Sequence, residues 1–190
     1  SEKKDKVFAD LKKNVKISAE NIPAATQLFT PHWIVRYLVE NSLGRLWLLN
    51  RPGSKLAAQM DYYIAPEEPE TDFLRITRPE DIRICDPAAG SGHMLTYAFD
   101  LLHAIYEEEG YEPTEIPALI LTHNLHGVEI DDRAGALAGF ALVMKAAAKL
   151  GRRRFLRLGV QPNICVMQDV RFTPTEMQDV AAVVGRDLFT

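Results

Sequence analysis

For its 190 residues the sequence predicts an α/β fold: a parallel sheet with helical crossovers, preceded by a helical extension. Three observations carry that expectation. From Asp81 onward, short apolar runs alternate with segments of helical length, the pattern of parallel strands joined by helices. A glycine-rich turn, Asp86-Pro87-Ala88-Ala89-Gly90-Ser91-Gly92, stands directly between a strand-like and a helix-like run. The longest helix-like run carries Ala134, Gly135, Ala136, Ala138, Gly139 and Ala141, small enough to let it lie close against a sheet.

In chain order, residues 1–20 set six lysines, Lys3 to Lys16, around Val7, Phe8, Leu11 and Val15, the spacing of a basic amphipathic helix. A solvated face accounts for those lysines at least as well as a nucleic-acid contact. A second helix is expected from Pro31, with Thr30 as its cap and proline at its first position. Its apolar face would be Trp33, Ile34, Tyr37, Leu38, Leu43, Leu46 and Trp47. Residues 51–81 hold Pro52, Gly53, Pro66, Pro69 and Pro79 and read as a long connection, with a short strand at 61–65. The expected domains are thus 1–80, helical with an acidic linker, and 81–190, the α/β part. Within the latter, strands are expected at 82–85, 126–130 and 163–167 and helices at 92–106 and 132–150, the second ended by Gly151. The sheet is expected to be covered on both faces.

Composition excludes several classes. No apolar run is long enough to cross a bilayer, and the N-terminus has no apolar core of signal-peptide type. Cys85 and Cys165 each sit in a short apolar run and read as buried, reduced thiols, which fits a cytoplasmic setting. Nothing resembles CxxC, and the five histidines are not at ligand intervals, so no metal is expected. A net charge of −4 speaks against this chain being the main grip on a nucleic-acid backbone.

The chemistry lies in the glycine turn. Open parallel sheets bind ligands beyond the carboxyl ends of their strands. Glycine at 90 and 92 removes side chains that would keep a ligand from the backbone, and the following helix offers unpaired amides. A dinucleotide fingerprint is not met, because Leu95 stands where its third glycine belongs, and no G-K-[ST] of a phosphate loop occurs. A turn opening on Asp86 repels phosphate and suits a ligand with a cationic end.

DPAAGSGHM resembles motif I of the amino-methyltransferases that act on adenine in DNA, and GVEID (127–131) resembles their motif II. Upstream, TQLFTPHWIVRYLVE (26–40) is similar to their motif X, an F-T-P followed by a helix. The order X, I, II matches the gamma-type arrangement. The wording of LFTPHWIVRYLVENSLGRLW is most similar to the PglX-type enzymes of bacteriophage-exclusion (BREX) systems, and type IIG restriction-modification enzymes share the core motifs.

The resemblance implies a Rossmann-like S-adenosylmethionine-dependent methyltransferase fold and S-adenosylmethionine as cofactor. Asp86, Pro87, Ala88, Gly90 and Gly92 would line its methionine part, with Asp86 near the ammonium group. Glu129 would accept both ribose hydroxyls, and Ile130 would pack on the adenine, although a core Ile reads nearly as well. Asp169 would accept from the exocyclic amine. Phe29, Thr30 and Pro31 would bring a helix start toward the cofactor carboxylate, although capping alone accounts for the last two. Arg152, Arg153, Arg154 and Arg157 read as a solvated face complementing a helix C-terminus. His93 reads as packing or as support one layer behind the ligand, not as a catalytic imidazole.

No catalytic residue is assigned. The family transfers methyl groups with an [N/D]-P-P-[Y/F] loop that holds the extruded base, and no N-P-P or D-P-P tripeptide occurs here. The expectation is therefore the front portion of an adenine-N6 DNA methyltransferase of a restriction-modification or phage-defence system. Its partners would be double-stranded DNA and other defence-system subunits, with no membrane. A methyltransferase-like scaffold without catalysis is the other reading.

Overall fold

The structure is a computed structural model that describes residues 30–151 and 158–168 together with isolated positions outside them. The predicted basic helix at 1–20, Phe29, Asp169, Arg152, Arg153 and Arg157 lie outside the described residues. The chain divides into two compact units, Ser1–Arg75 and Ile76–Thr190.

In the first unit, α1 (His32–Val39) and α2 (Arg45–Asn50) are joined by one wide helical turn, Glu40–Gly44. Side chains of that turn donate back to earlier carbonyls: Asn41 Nδ2 to Tyr37 O at 2.8 Å and Ser42 Oγ to Leu38 O at 2.7 Å. This satisfies acceptors that a widened turn leaves short of amides. The buried stripe is Val35, Val39, Leu43 and Trp47, each four residues apart, whereas Trp33, Tyr37 and Leu38 are exposed, against expectation. Hydropathy favoured the aromatic side; the buried Glu40 decided the other. Its Oε1 accepts from Arg36 Nε at 3.0 Å and its Oε2 from Tyr62 N at 2.6 Å, so the connection packs on Glu40's side of the helix.

Two further expectations fail here. Thr30 does not cap α1: Pro31 is the N-cap residue, and no side chain caps the helix. A residue before proline is held extended, which leaves Thr30 one position too early to reach the first amides. Residues 61–65 form no strand. Their backbone polar groups pair instead with helix side chains, Ile64 N donating to Asn41 Oδ1 at 2.8 Å and Asn41 Nδ2 donating to Tyr62 O at 2.7 Å. An asparagine thus stands in for a neighbouring strand, as backbone satisfaction allows.

In the second unit, three parallel strands, β1 (Ile84–Asp86), β2 (Leu125–Glu129) and β3 (Asn163–Val166), lie in the order β1-β2-β3. Asp86 pairs with Gly127, which pairs with Ile164. Between them run α3 (His93–Glu108), the short α4 (Ile116–Leu119) and α5 (Asp132–Leu150). Strands 3 to 5 residues long agree with the predicted positions within two residues, and Asp132–Leu150 matches the expected helix.

The sheet is covered on one face among the described residues, not on both. Strands adjacent in sequence order, joined by right-handed crossovers, put both connecting helices on the same side, and α3 and α5 do pack on each other as well as on the sheet. Ile84, Leu125, Gly127 and Ile164 face these helices; Cys85 and Cys165 are exposed on the other side. The expectation of buried thiols is therefore wrong, because an apolar run in a strand fills two faces and only one is covered.

Behind β2 a buried amide knits three segments together. Asn124 Nδ2 donates to Pro79 O and Ile82 O, both at 2.8 Å, while Tyr106 Oη donates to Asn124 Oδ1 at 3.0 Å. Tyr106 and Asn124 are fully buried. Tyr106→Phe leaves that oxygen without its donor and should cost about 1–2 kcal/mol. Amide exchange across α3 reads the loss; unchanged protection would show that the hydroxyl contributes nothing net. Among the described residues no helix is long and apolar enough to cross a membrane.

Candidate functional site

The glycine turn leaves the carboxyl end of β1 and is tied to β2 twice. Ala89 N donates to Val128 O at 3.0 Å, and Gly90 N donates to Glu129 Oε2 at 2.6 Å. Asp86, the last residue of β1, turns back on the loop through Oδ1, which accepts from Ala88 N at 3.1 Å. Gly90 and Glu129, 39 positions apart, thus meet on one side of the sheet.

The two glycines serve different ends. Both have positive φ, 54° at Gly90 and 83° at Gly92. A Cβ at Gly90 would meet nothing within 4 Å, so its bareness leaves space over the loop. A Cβ at Gly92 would come 3.0 Å from both the Cα and the Cβ of Ala138, and Gly92 is buried. Its missing side chain serves the approach of α5 to the start of α3. Gly127 and Gly135 are packing glycines; the close approach to the sheet was expected of Gly135 and not of Gly127. A Cβ at Gly127 would meet Ile164, Leu95 and Ala89, and one at Gly135 would reach Val166.

Glu129 ends β2. Its Oε1 accepts from Ile130 N at 2.9 Å and from Asp131 N at 3.0 Å. The Asp131 amide, together with those of Gly90 and Ile130, holds the carboxyl below the usual glutamate range against the opposing effect of burial. Ile130 is 80% exposed, which removes the core reading for it and presents an apolar surface beside the acid. Asp131 is a residue the sequence reading passed over. It caps α5, its side chain accepting from Arg133 N at 2.9 Å and Ala134 N at 3.3 Å. An aspartate just ahead of a helix-like run is the signal that could have found it.

Asp86, Glu129 and Asp131 make the loop's surroundings acidic, a fit for a ligand with a cationic end and a misfit for phosphate. Pro87 and Ala88 are exposed on the loop, and His93 is exposed at the first position of α3, not packed as expected. Thr30 and Pro31 stand at the start of α1 in the first unit. An open groove of about 470 Å³ between α3 and α5, lined by His93, Leu137, Phe140 and Met144 among others, includes neither Gly90 nor Glu129. Among the described residues no three His, Cys, Asp or Glu side chains gather in metal-binding positions.

These features define a mixed α/β protein with a small parallel sheet and an acidic glycine loop at the sheet's carboxyl end. No family model matches the chain. It is 49% identical over 185 residues to the adenine-specific methyltransferase BrxX of Escherichia coli O9:H4 (strain HS), and 40% identical over 192 residues to the adenine-specific methyltransferase PglX of Lacticaseibacillus casei (strain Zhang). The alignments cover 93% and 94% of this chain but 15% of each relative's length. Over almost its whole length the chain is thus similar to adenine-specific methyltransferases.

Proposed function

We propose that this chain is the S-adenosylmethionine-binding portion of a site-specific adenine-N6 DNA methyltransferase of a phage-defence or restriction-modification system. The observation that carries the reading is the meeting of Gly90 and Glu129 over the carboxyl end of a parallel sheet, in a chain similar to adenine-specific methyltransferases. The cofactor supplies the methyl group on a sulfonium. The chain's own residues would bind and orient it. Asp86 would face the ammonium, Glu129 would accept from the ribose and the exposed Ile130 would cover one side of the adenine. Asp169 would accept from the exocyclic amine, and Thr30 with its neighbours Phe29 and Pro31 would approach the carboxylate. On this reading residues 81–190 form the cofactor part and 1–80 a helical segment with its linker, working in the cytoplasm.

Double-stranded DNA is the substrate on this reading, and other defence-system subunits are its partners. With a net charge of −4, these residues would leave most of the phosphate contacts to other parts of the protein. The chain is expected to bind S-adenosylmethionine in calorimetric titration and to transfer no labelled methyl group to adenine-rich duplex DNA. Full-length protein should do both. Transfer by residues 1–190 alone would mean that the reacting centre is misplaced; a saturated but inactive full-length protein would favour a scaffold.

A further inference from the structure

From Ala134 to Met144 α5 carries no polar side chain. One face is spent inside the unit: Gly135, Ala138, Leu142 and Ala146 are buried where α5 packs on the sheet and on α3. The opposite face is as apolar and lies open, with Leu137 57%, Phe140 61% and Met144 50% exposed. A helix that is apolar on both faces belongs between two layers, and one of the two is missing among the described residues. The open residues run along the groove that α5 forms with α3, and Ala141 and Ala148 beside them are small enough to let another backbone come close. Lys145, the cation of this groove, is tied across to Asp100 on α3. What the groove offers is chiefly hydrocarbon, a poor match for a phosphate backbone and a good one for the apolar stripe of a helix.

We propose that this groove seats an amphipathic helix from elsewhere in the same polypeptide. The proposal rests on the reading of the chain as a portion of a longer methyltransferase. The matched stretch is 15% of each relative's length, so most of such a protein lies outside these residues. Tethering favours that occupant over a second copy or a separate subunit. A segment of the same chain meets the groove at an effective concentration of up to about millimolar, without the cost of bringing two molecules together. The seated helix presents apolar residues at i, i+3 and i+7 to Leu137, Phe140 and Met144, and turns its polar side outward.

The test places the photoreactive benzoylphenylalanine at position 140 of the full-length protein, where an exposed side chain leaves room for it, and identifies cross-linked peptides by mass spectrometry. The expected product joins α5 to a peptide of the same polypeptide outside residues 1–190, without doubling the mass. A covalent dimer, a link to a separate subunit, a link within residues 1–190 or no link at all overturns the proposal. Met144 gives a second reading without any substitution. Its oxidation by hydrogen peroxide should run roughly tenfold or more slower in the native full-length protein than in urea, because a covered thioether waits for local opening. Equal rates overturn the proposal as well. The methyltransferase reading fails separately: a linked protein that methylates no adenine keeps the docking and loses that reading, and an active protein without the link does the reverse.

Discussion

Gly92→Val is expected to destabilise the Ile76–Thr190 unit by about 2–5 kcal/mol. Two costs combine. A left-handed backbone at φ 83° costs a residue with a Cβ about 1–2 kcal/mol. Forcing branched carbon into a buried contact already at 3.0 Å from Ala138 costs about 1–3 kcal/mol more, because both partners sit on packed helices and neither yields cheaply. Gly90→Ala is the control. Its φ of 54° carries the backbone cost, but its Cβ meets nothing within 4 Å, so about 1 kcal/mol is expected. Amide exchange of β2 reads both variants. Tryptophan fluorescence would not, since Trp33 and Trp47 belong to the first unit. Equal losses from the two variants would remove the packing role given to Gly92.

Glu129→Ala should weaken cofactor binding by about 2–3 kcal/mol, against about 1 kcal/mol for Asp169→Ala. The larger figure has two sources. On the proposed reading alanine takes away a charged acceptor for the ribose, and it leaves the amides of Gly90, Ile130 and Asp131 without the carboxylate that orders them. Asp169 is given one hydrogen bond to an amine. Calorimetry on the two variants and the parent checks the ordering, and equal losses would count against the roles assigned to both.

Much of the second unit was legible beforehand, for reasons that are local. The strands at β1, β2 and β3 are short apolar runs bounded by turn residues, and α5 opens after Asp131 and closes at Gly151. The motif pair DPAAGSG and GVEID pointed to Gly90 and Glu129 as residues of one site; the hydrogen bond between them is something only the structure shows. The first unit was less legible. Trp33, Tyr37 and Leu38 are the more conspicuous apolar residues of α1, yet Val35 and Val39 are buried, because the connecting segment packs where Glu40 and Asn41 can satisfy its backbone. Such pairing between residues about 22 positions apart leaves no periodic trace.

By itself the sequence determined the alternation of strands and helices, the parallel sheet, and a glycine loop that opens on an aspartate. These follow from residue types a few positions apart, where backbone preference and charge act. Tertiary structure alone decided which glycine leaves open space over the loop and which lets a helix approach, since both lie in the same seven-residue turn and differ only in what stands opposite. It also decided that the sheet is covered by helices on one face, leaving Cys85 and Cys165 exposed. And it decided that the Glu129 carboxylate is largely occupied by its own backbone, because the number of acceptor positions left on an acid depends on which amides the fold brings to it.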